Sequence, residues 1–223
     1  MGVSLTPYKI CNFNCIYCQL GRTGVFTSER KEYANREEII NELRSYLANN
    51  PGGFDSLSYI TLSGLGEPTL NVKIKDIIAQ IKGLTKTKVA VITNASLFGD
   101  PQVRQDLLSA DLAVPSLDAV DNKVFSQINR PLPEINIENI ISGLISFRKE
   151  FKNQLWLEVM LVAGVNDELA QIRRLKEAVE MINPDKIQLN SPVRLTAEDN
   201  ILPADKNKLK KIKEILGDKC EII

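Results

Sequence analysis

Short β-rich runs alternate with longer segments of helical periodicity along this chain, which is the pattern of βα units and a parallel sheet. The longer segments repeat apolar residues at helical spacing, as at Ile137, Ile140, Ile141 and Leu144. The pattern predicts six strands, at residues 3–9, 57–63, 88–93, 112–117, 155–162 and 186–190. A short further strand is predicted at 220–223.

Six βα units are fewer than the eight that close a TIM barrel, which typically takes about 250 residues. We therefore predict an α/β fold, a partial and open (β/α)6 TIM-like barrel, in a single domain over residues 1–223. The reactive groups of such barrels gather at the C-terminal ends of the strands. Functional residues are expected at that end.

The composition limits the function classes that are open to this chain. Lys plus Arg number 28, and Asp plus Glu also number 28, so the net charge is zero. A chain without net charge has no overall electrostatic attraction for nucleic acid. We therefore expect that nucleic acid is not a partner. No apolar run reaches the roughly 20 residues that cross a bilayer, and the first residues do not read as a secretory signal. We expect a cytoplasmic protein without a membrane partner. The absence of histidine excludes His-based acid–base catalysis and His-containing zinc sites.

Three of the four cysteines stand in one loop, Cys11, Cys15 and Cys18, with the spacing C-x3-C-x2-C. Clustered thiols in a reducing compartment are more often metal ligands than disulfides. Iron–sulfur cubanes of the ferredoxin type take four thiolates, so three would leave one iron with an open position. A zinc site would usually require a second cysteine pair or histidines. Cys220 is expected to be a buried, unreactive thiol, and the cluster is favoured over zinc.

This loop, with Tyr17 directly before its last cysteine, resembles the defining motif of radical S-adenosylmethionine (radical SAM) enzymes. The resemblance extends to four strand-end segments, which are Leu62-Ser-Gly-Leu-Gly-Glu67-Pro, Thr93-Asn94, Pro115-Ser-Leu-Asp118 and Leu157-Glu-Val-Met-Leu161. The whole chain is similar to a branch labelled Fe–S oxidoreductases, distantly akin to the tRNA wyosine-forming radical enzymes. The chain departs from the family's Gly-Gly-Glu motif, because Leu65 separates the two glycines.

The resemblance implies a radical SAM fold, one 4Fe–4S cluster on the three loop cysteines, and S-adenosylmethionine as cofactor. It implies reductive cleavage of that cofactor to a 5′-deoxyadenosyl radical that abstracts hydrogen from a substrate, with a flavodoxin or ferredoxin as reductant. The alternatives are a glycyl-radical-enzyme activase, a tRNA-modifying radical enzyme, and a non-catalytic Fe–S electron carrier. The identity of the substrate, small molecule or macromolecule, is not implied.

The resemblance and the strand-end positions together suggest a set of cofactor-binding residues. Glycines let the backbone approach a ligand, and Glu67 is expected to accept hydrogen bonds from the cofactor's amino group. The full predicted set is Tyr17, Gly64, Gly66, Glu67, Thr93, Asn94, Ser116, Asp118, Glu158, Met160, Asn190 and Arg194.

Two members of this set have alternative interpretations. Asp118 is expected either to hold ribose hydroxyls or to cap the next helix, with Asp121 as the rival cap. Glu158 lies in an apolar strand and is expected to face the lumen beside the cofactor or Arg194, because a carboxylate there is costly without a partner. Asn129 and Arg130 are loop candidates for the site, with a surface turn as their default interpretation.

Overall fold

The computed structural model describes residues 1–54 and 56–223. Its strands are β1 (Gly2–Val3), β2 (Ile10–Cys11), β3 (Val25–Phe26), β4 (Tyr59–Leu62), β5 (Lys88–Thr93), β6 (Leu112–Pro115), β7 (Gln154–Met160), β8 (Lys186–Asn190) and β9 (Cys220–Ile222). Its α-helices are α1 (Arg36–Asn49), α2 (Ile74–Leu84), α3 (Pro101–Leu107), α4 (Asn122–Ile128), α5 (Ile137–Glu150), α6 (Leu169–Ile182) and α7 (Lys206–Leu216). A 3-10 turn spans Pro68–Leu70.

Seven strands form one sheet in the order β1-β4-β5-β6-β7-β8-β9, and every neighbouring pair is parallel. In the part of the chain that the structure describes, the two edge strands β1 and β9 do not pair with each other. The sheet is therefore an open barrel of six βα strands extended by β9, and the predicted fold class is confirmed. The bounds of β5 and β8 match the sequence prediction, and β4, β6 and β7 differ from it by a few residues at their ends.

The first strand is shorter than the sequence pattern predicted. It ends at Val3, and the Ser4 hydroxyl donates a hydrogen bond of 2.8 Å to the Thr6 carbonyl, which turns the backbone out of the sheet. The chain resumes as β2, which pairs with β3 in a separate two-stranded sheet. The prediction of one continuous strand over 3–9 was wrong because a local side-chain hydrogen bond competes with the strand.

Alternate residues of the strands separate a helix-covered core from the lumen. On β7 the side chains of Leu155, Leu157 and Val159 are fully buried beneath the helices, while Trp156, Glu158 and Met160 face the other way and are half-buried. The predicted division of this strand into two faces is confirmed. Across residues 1–54 and 56–223, no helix combines the length and apolar character that crossing a bilayer requires.

Candidate active site

The cysteine loop is held in place by backbone hydrogen bonds to the end of α4. Asn14 N–H donates to the Asn129 carbonyl at 3.0 Å, and Ile16 N–H donates to the Ile128 carbonyl at 3.0 Å. These partners lie more than a hundred residues away along the chain. Tertiary contacts therefore fix the position of the loop in the fold.

The three loop cysteines are free and half-buried. Burial raises the pKa of the Cys11 thiol from 9.0 to about 12, and burial raises the pKa of Cys15 further still. Amide donors nevertheless point at these sulfurs, since Asn94 Nδ2 lies 3.6 Å from Cys11 Sγ and Asn129 Nδ2 lies 3.5 Å from Cys15 Sγ. A neutral thiol is a weak acceptor, so these donors suit sulfurs that carry more negative charge.

A cavity of about 540 Å³ opens between the cysteine loop and the C-terminal ends of β7 and β8. Cys11 and Cys18 form part of its wall. Seven of the twelve predicted cofactor-binding residues also line it, namely Tyr17, Gly64, Gly66, Glu158, Met160, Asn190 and Arg194. The other five, namely Glu67, Thr93, Asn94, Ser116 and Asp118, are not among the described residues of its wall.

Glu67 is buried, and its carboxylate accepts four hydrogen bonds from protein groups. Its Oε1 accepts from Thr69 N–H at 3.0 Å, Thr69 Oγ1 at 2.6 Å and Thr93 Oγ1 at 2.6 Å, and its Oε2 accepts from Asn94 N–H at 2.7 Å. Burial raises the pKa of Glu67, and these four hydrogen bonds oppose that shift. The geometry suits a residue that positions the end of β5, whereas direct contact with a cofactor stays a prediction.

The two glycines of this segment are required for different reasons, Gly66 by the approach of β2 and Gly64 by its backbone conformation. A Cβ at Gly66 would lie 2.1 Å from the Ile10 carbonyl oxygen, where Glu67 N–H donates a hydrogen bond of 3.0 Å. Gly64 has a φ of 120°, a conformation that favours glycine. From the sequence, these glycines were predicted to let the backbone approach a ligand. The packing of β2, the strand that carries Cys11, already requires glycine at position 66.

Asp118 anchors Tyr17 and the end of β7. Its Oδ2 accepts from the Tyr17 hydroxyl at 2.5 Å and from Asn129 Nδ2 at 2.7 Å, and its Oδ1 accepts from Met160 N–H at 2.9 Å. The cap of α4 is Asp121, which accepts from Val124 N–H, so the capping alternative for Asp118 was wrong. Ribose binding by Asp118 remains a prediction, although its oxygens already have protein partners.

The pH dependence of stability should report on Asp118. Burial raises its pKa from 3.8 to about 6, so the folded state binds more protons than the unfolded state between these values. The contribution of Asp118 to stability is therefore most favourable at the acid end of this window and falls by about 3 kcal/mol as the pH rises through it. Denaturant unfolding of the wild type and of Asp118→Asn between about pH 4 and about pH 7 checks this, since the variant should lack that part of the slope. A difference between the two proteins that stays constant with pH would contradict the assignment.

Glu158 projects into the cavity with two neutral partners. Ser116 Oγ donates to its Oε2 at 3.1 Å, and Asn190 Nδ2 donates to its Oε1 at 3.3 Å. Arg194 is directed elsewhere, donating to Gln19 Oε1 at 2.9 Å. The expected lumen-facing orientation of Glu158 is confirmed, but the suggested partner Arg194 was wrong.

Two buried asparagines, Asn12 and Asn166, were not recognised as part of the site from the sequence. Asn12 donates to Ser96 Oγ at 2.7 Å, and Asn166 donates to the Asp118 and Met160 carbonyls. Asn129, expected in a surface turn, is buried against Asp118. Their signal in the sequence is weak because asparagine is also the ordinary residue of turns.

A parallel barrel whose cysteine-bearing loop opens on a cavity at its strand ends has the architecture of an enzyme that works through a metal cluster and a bound cofactor. The sequence model described as the Radical SAM superfamily matches residues 5–175. This chain belongs to the radical SAM superfamily. It is thus an enzyme whose cofactors are a 4Fe–4S cluster and S-adenosylmethionine, as the cysteine motif predicted.

Relatives are found among bacterial and archaeal proteins. A protein named GTPase Obg from Brachyspira hyodysenteriae is 38% identical over 222 residues, covering 100% of this chain and 32% of that protein. UPF0026 protein MJ1312 from Methanocaldococcus jannaschii is 33% identical over 225 residues, covering 100% of this chain and 68% of that protein. This chain therefore spans about a third of the first relative and about two thirds of the second.

Similarity to a solved structure supports the same fold. The structure of TYW1 with a lysine–pyruvate adduct bound matches with a TM-score of 0.66 and 22% identity, covering 96% of this chain and 72% of that chain. At this level of identity the match concerns the architecture alone.

The residues present fit the two cofactors. No three Cys, His, Asp or Glu side chains in the described parts of the chain lie close enough together to ligate one ion. A cubane does not need such convergence, because each thiolate binds a different iron. Three thiols with amide donors at two of the sulfurs therefore suit a cluster, and the adjoining cavity falls in the size range of small-molecule sites.

Proposed function

We propose that this chain cleaves S-adenosylmethionine reductively at a 4Fe–4S cluster held by Cys11, Cys15 and Cys18, and that a substrate at the cavity then loses a hydrogen atom. The single observation that carries the proposal is the shared wall of the cavity. Two of the three loop cysteines, Cys11 and Cys18, line it together with Glu158, Met160 and Asn190 from the ends of β7 and β8.

The three loop cysteines are the complete protein ligand set in this proposal. Cys220 is buried, and it pairs with Ile187 near the start of β8, whereas the cavity is lined by Asn190 at the end of β8. A fourth thiol is therefore not available at the loop. One iron keeps an open coordination position, which is the condition for a ligand to bind there.

In this proposal the residues of the cavity wall bind and orient S-adenosylmethionine and the substrate. The carboxylate of Glu158 and the carboxamide of Asn190 offer hydrogen-bonding groups, while Tyr17 and Met160 present apolar surface that excludes water. When bound, the reduced cluster and S-adenosylmethionine supply a 5′-deoxyadenosyl radical, and this chemistry belongs to the cofactor. Asp118 holds Tyr17 and the backbone of Met160 in place.

The proposal extends to partners and location. A flavodoxin or ferredoxin supplies the electron, and a substrate reaches the cavity past the exposed side chains of Val193 and Leu195. Four free cysteines favour a reducing compartment, the cytoplasm. Residues 1–223 act as one domain, since a single apolar core links elements from β1 to β9.

Anaerobic reconstitution with iron and sulfide tests the proposal. We expect a brown protein that releases 5′-deoxyadenosine and methionine when it is reduced in the presence of S-adenosylmethionine. A cluster that forms but leaves S-adenosylmethionine intact would favour an electron carrier. A colourless protein that retains zinc would favour a scaffold, and either result would overturn the proposed reaction.

A further inference from the structure

Three N–H groups are directed at two of the three loop sulfurs. Asn129 Nδ2 lies 3.5 Å from Cys15 Sγ, Asn94 Nδ2 lies 3.6 Å from Cys11 Sγ, and Phe13 N–H lies 3.4 Å from Cys11 Sγ. These distances suit sulfur, which is a larger acceptor than oxygen. Cys18 Sγ receives no such donor from the residues that the structure describes.

The orientation of each carboxamide is fixed by its other partners. The Asn94 oxygen accepts from Ser96 N–H at 2.9 Å, so its nitrogen must face Cys11. Asn129 Nδ2 also donates to Asp118 Oδ2 at 2.7 Å, and an ionised carboxylate only accepts. The nitrogen atoms, not the oxygen atoms, therefore lie toward the sulfurs.

Both asparagines are held in place by further hydrogen bonds. Asn129 is buried, and its backbone carbonyl accepts from Asn14 N–H within the cysteine loop. Asn94 donates its backbone N–H to the Glu67 carboxylate, and its side-chain Nδ2 donates to Asn12 Oδ1 at 2.8 Å. Donors that are this well supported keep their geometry when the charge on a sulfur changes.

We propose that Asn129, with Asn94 as a second contributor, is a positioning residue that raises the reduction potential of the cluster through N–H···S hydrogen bonds. The inference rests on the proposed cluster ligands. Added electron density in the reduced cluster falls partly on its sulfur ligands, so a hydrogen bond to sulfur stabilises the reduced state more than the oxidised state. The effect eases transfer of one electron from the external reductant.

Redox titration of the reconstituted protein tests this inference without a need for turnover. Asn129→Leu removes the donor at similar side-chain volume, and we expect the ratio of reduced to oxidised cluster at a fixed potential to fall about tenfold. For a one-electron couple this corresponds to a potential about 59 mV more negative. Asn94→Leu should shift the reduction potential in the same direction. If Asn129→Leu does not retain the cluster, the potential of Asn94→Leu tests the inference instead.

Tyr17→Phe is the matched control. It removes one donor from Asp118 Oδ2 and an acceptor that lies 3.5 Å from Asn129 Nδ2. Asn129 keeps Cys15 Sγ and Asp118 Oδ2 as acceptors for its two amide hydrogens, so the potential of this variant should stay at the wild-type value. An unchanged potential in variants that hold a full cluster would overturn the inference. Equal shifts in Asn129→Leu and Tyr17→Phe would also overturn it, because the effect would then run through the charge of Asp118. A wild-type protein that forms no cluster would instead overturn the proposed function.

Discussion

Replacing Cys15 by alanine is expected to abolish formation of 5′-deoxyadenosine. The variant leaves two thiols in the loop, and two thiolates cannot hold a cubane that takes three or four. Cys15 is not among the described residues of the cavity wall, so the loss should come from the missing iron and not from a missing contact with the cofactor. The measurement is iron and sulfide content per chain beside 5′-deoxyadenosine yield. Cys15→Ser, which keeps the side-chain size, should behave in the same way.

Cys220→Ala provides the control for removing a thiol as such. Cys220 is buried in β9, where it pairs with Ile187. We expect this variant to lose about 1 kcal/mol of stability through the small cavity it leaves, with full iron content and full turnover. Retention of the cluster by Cys15→Ala, or its loss from Cys220→Ala, would show that the ligands are assigned to the wrong cysteines.

Replacing Glu67 by alanine should destabilise the protein even before a cofactor is added, by about 3 kcal/mol. The substitution leaves the buried N–H groups of Thr69 and Asn94 without their acceptor and removes the link between the Pro68–Leu70 turn and the end of β5. Urea unfolding of the protein without cluster or cofactor measures this loss. Binding of S-adenosylmethionine to the reconstituted variant should also weaken, since the Asn94 backbone loses its hydrogen bond to the Glu67 carboxylate.

Glu158→Ala is the matched control, because it removes the same side chain from the cavity wall. Glu158 is half-buried, and among the residues that the structure describes its carboxylate has Ser116 and Asn190 as its two hydrogen-bond partners. We expect less than about 1 kcal/mol of lost stability together with weaker cofactor binding. If Glu67→Ala left the stability unchanged and affected only cofactor binding, then Glu67 would be a cofactor ligand and not a positioning residue.

The strands that were predicted best are those with a strongly β-forming composition. The residues of β5 and β8 have a composition that favours a strand independently of tertiary contacts, and the bounds of both strands were predicted correctly. The first strand was not, because the hydrogen bond of Ser4 interrupts an otherwise suitable run. The spacing of the cysteines likewise indicated the class of site, since three thiols within eight residues can serve one centre wherever they lie.

The sequence by itself determined the parallel α/β architecture and the cysteine loop, because periodicity and ligand spacing are local properties. Only the tertiary structure decided how the polar residues are used. The Tyr17 hydroxyl meets Asp118 across 101 positions of sequence, and Glu67 meets Asn94 across 27. Hydrogen bonds between such distant residues depend on where the strands end in space. For that reason the sequence could suggest cofactor contacts for Asp118 and Glu67, which stay predictions, but it could not show that both carboxylates hydrogen-bond to distant parts of the chain.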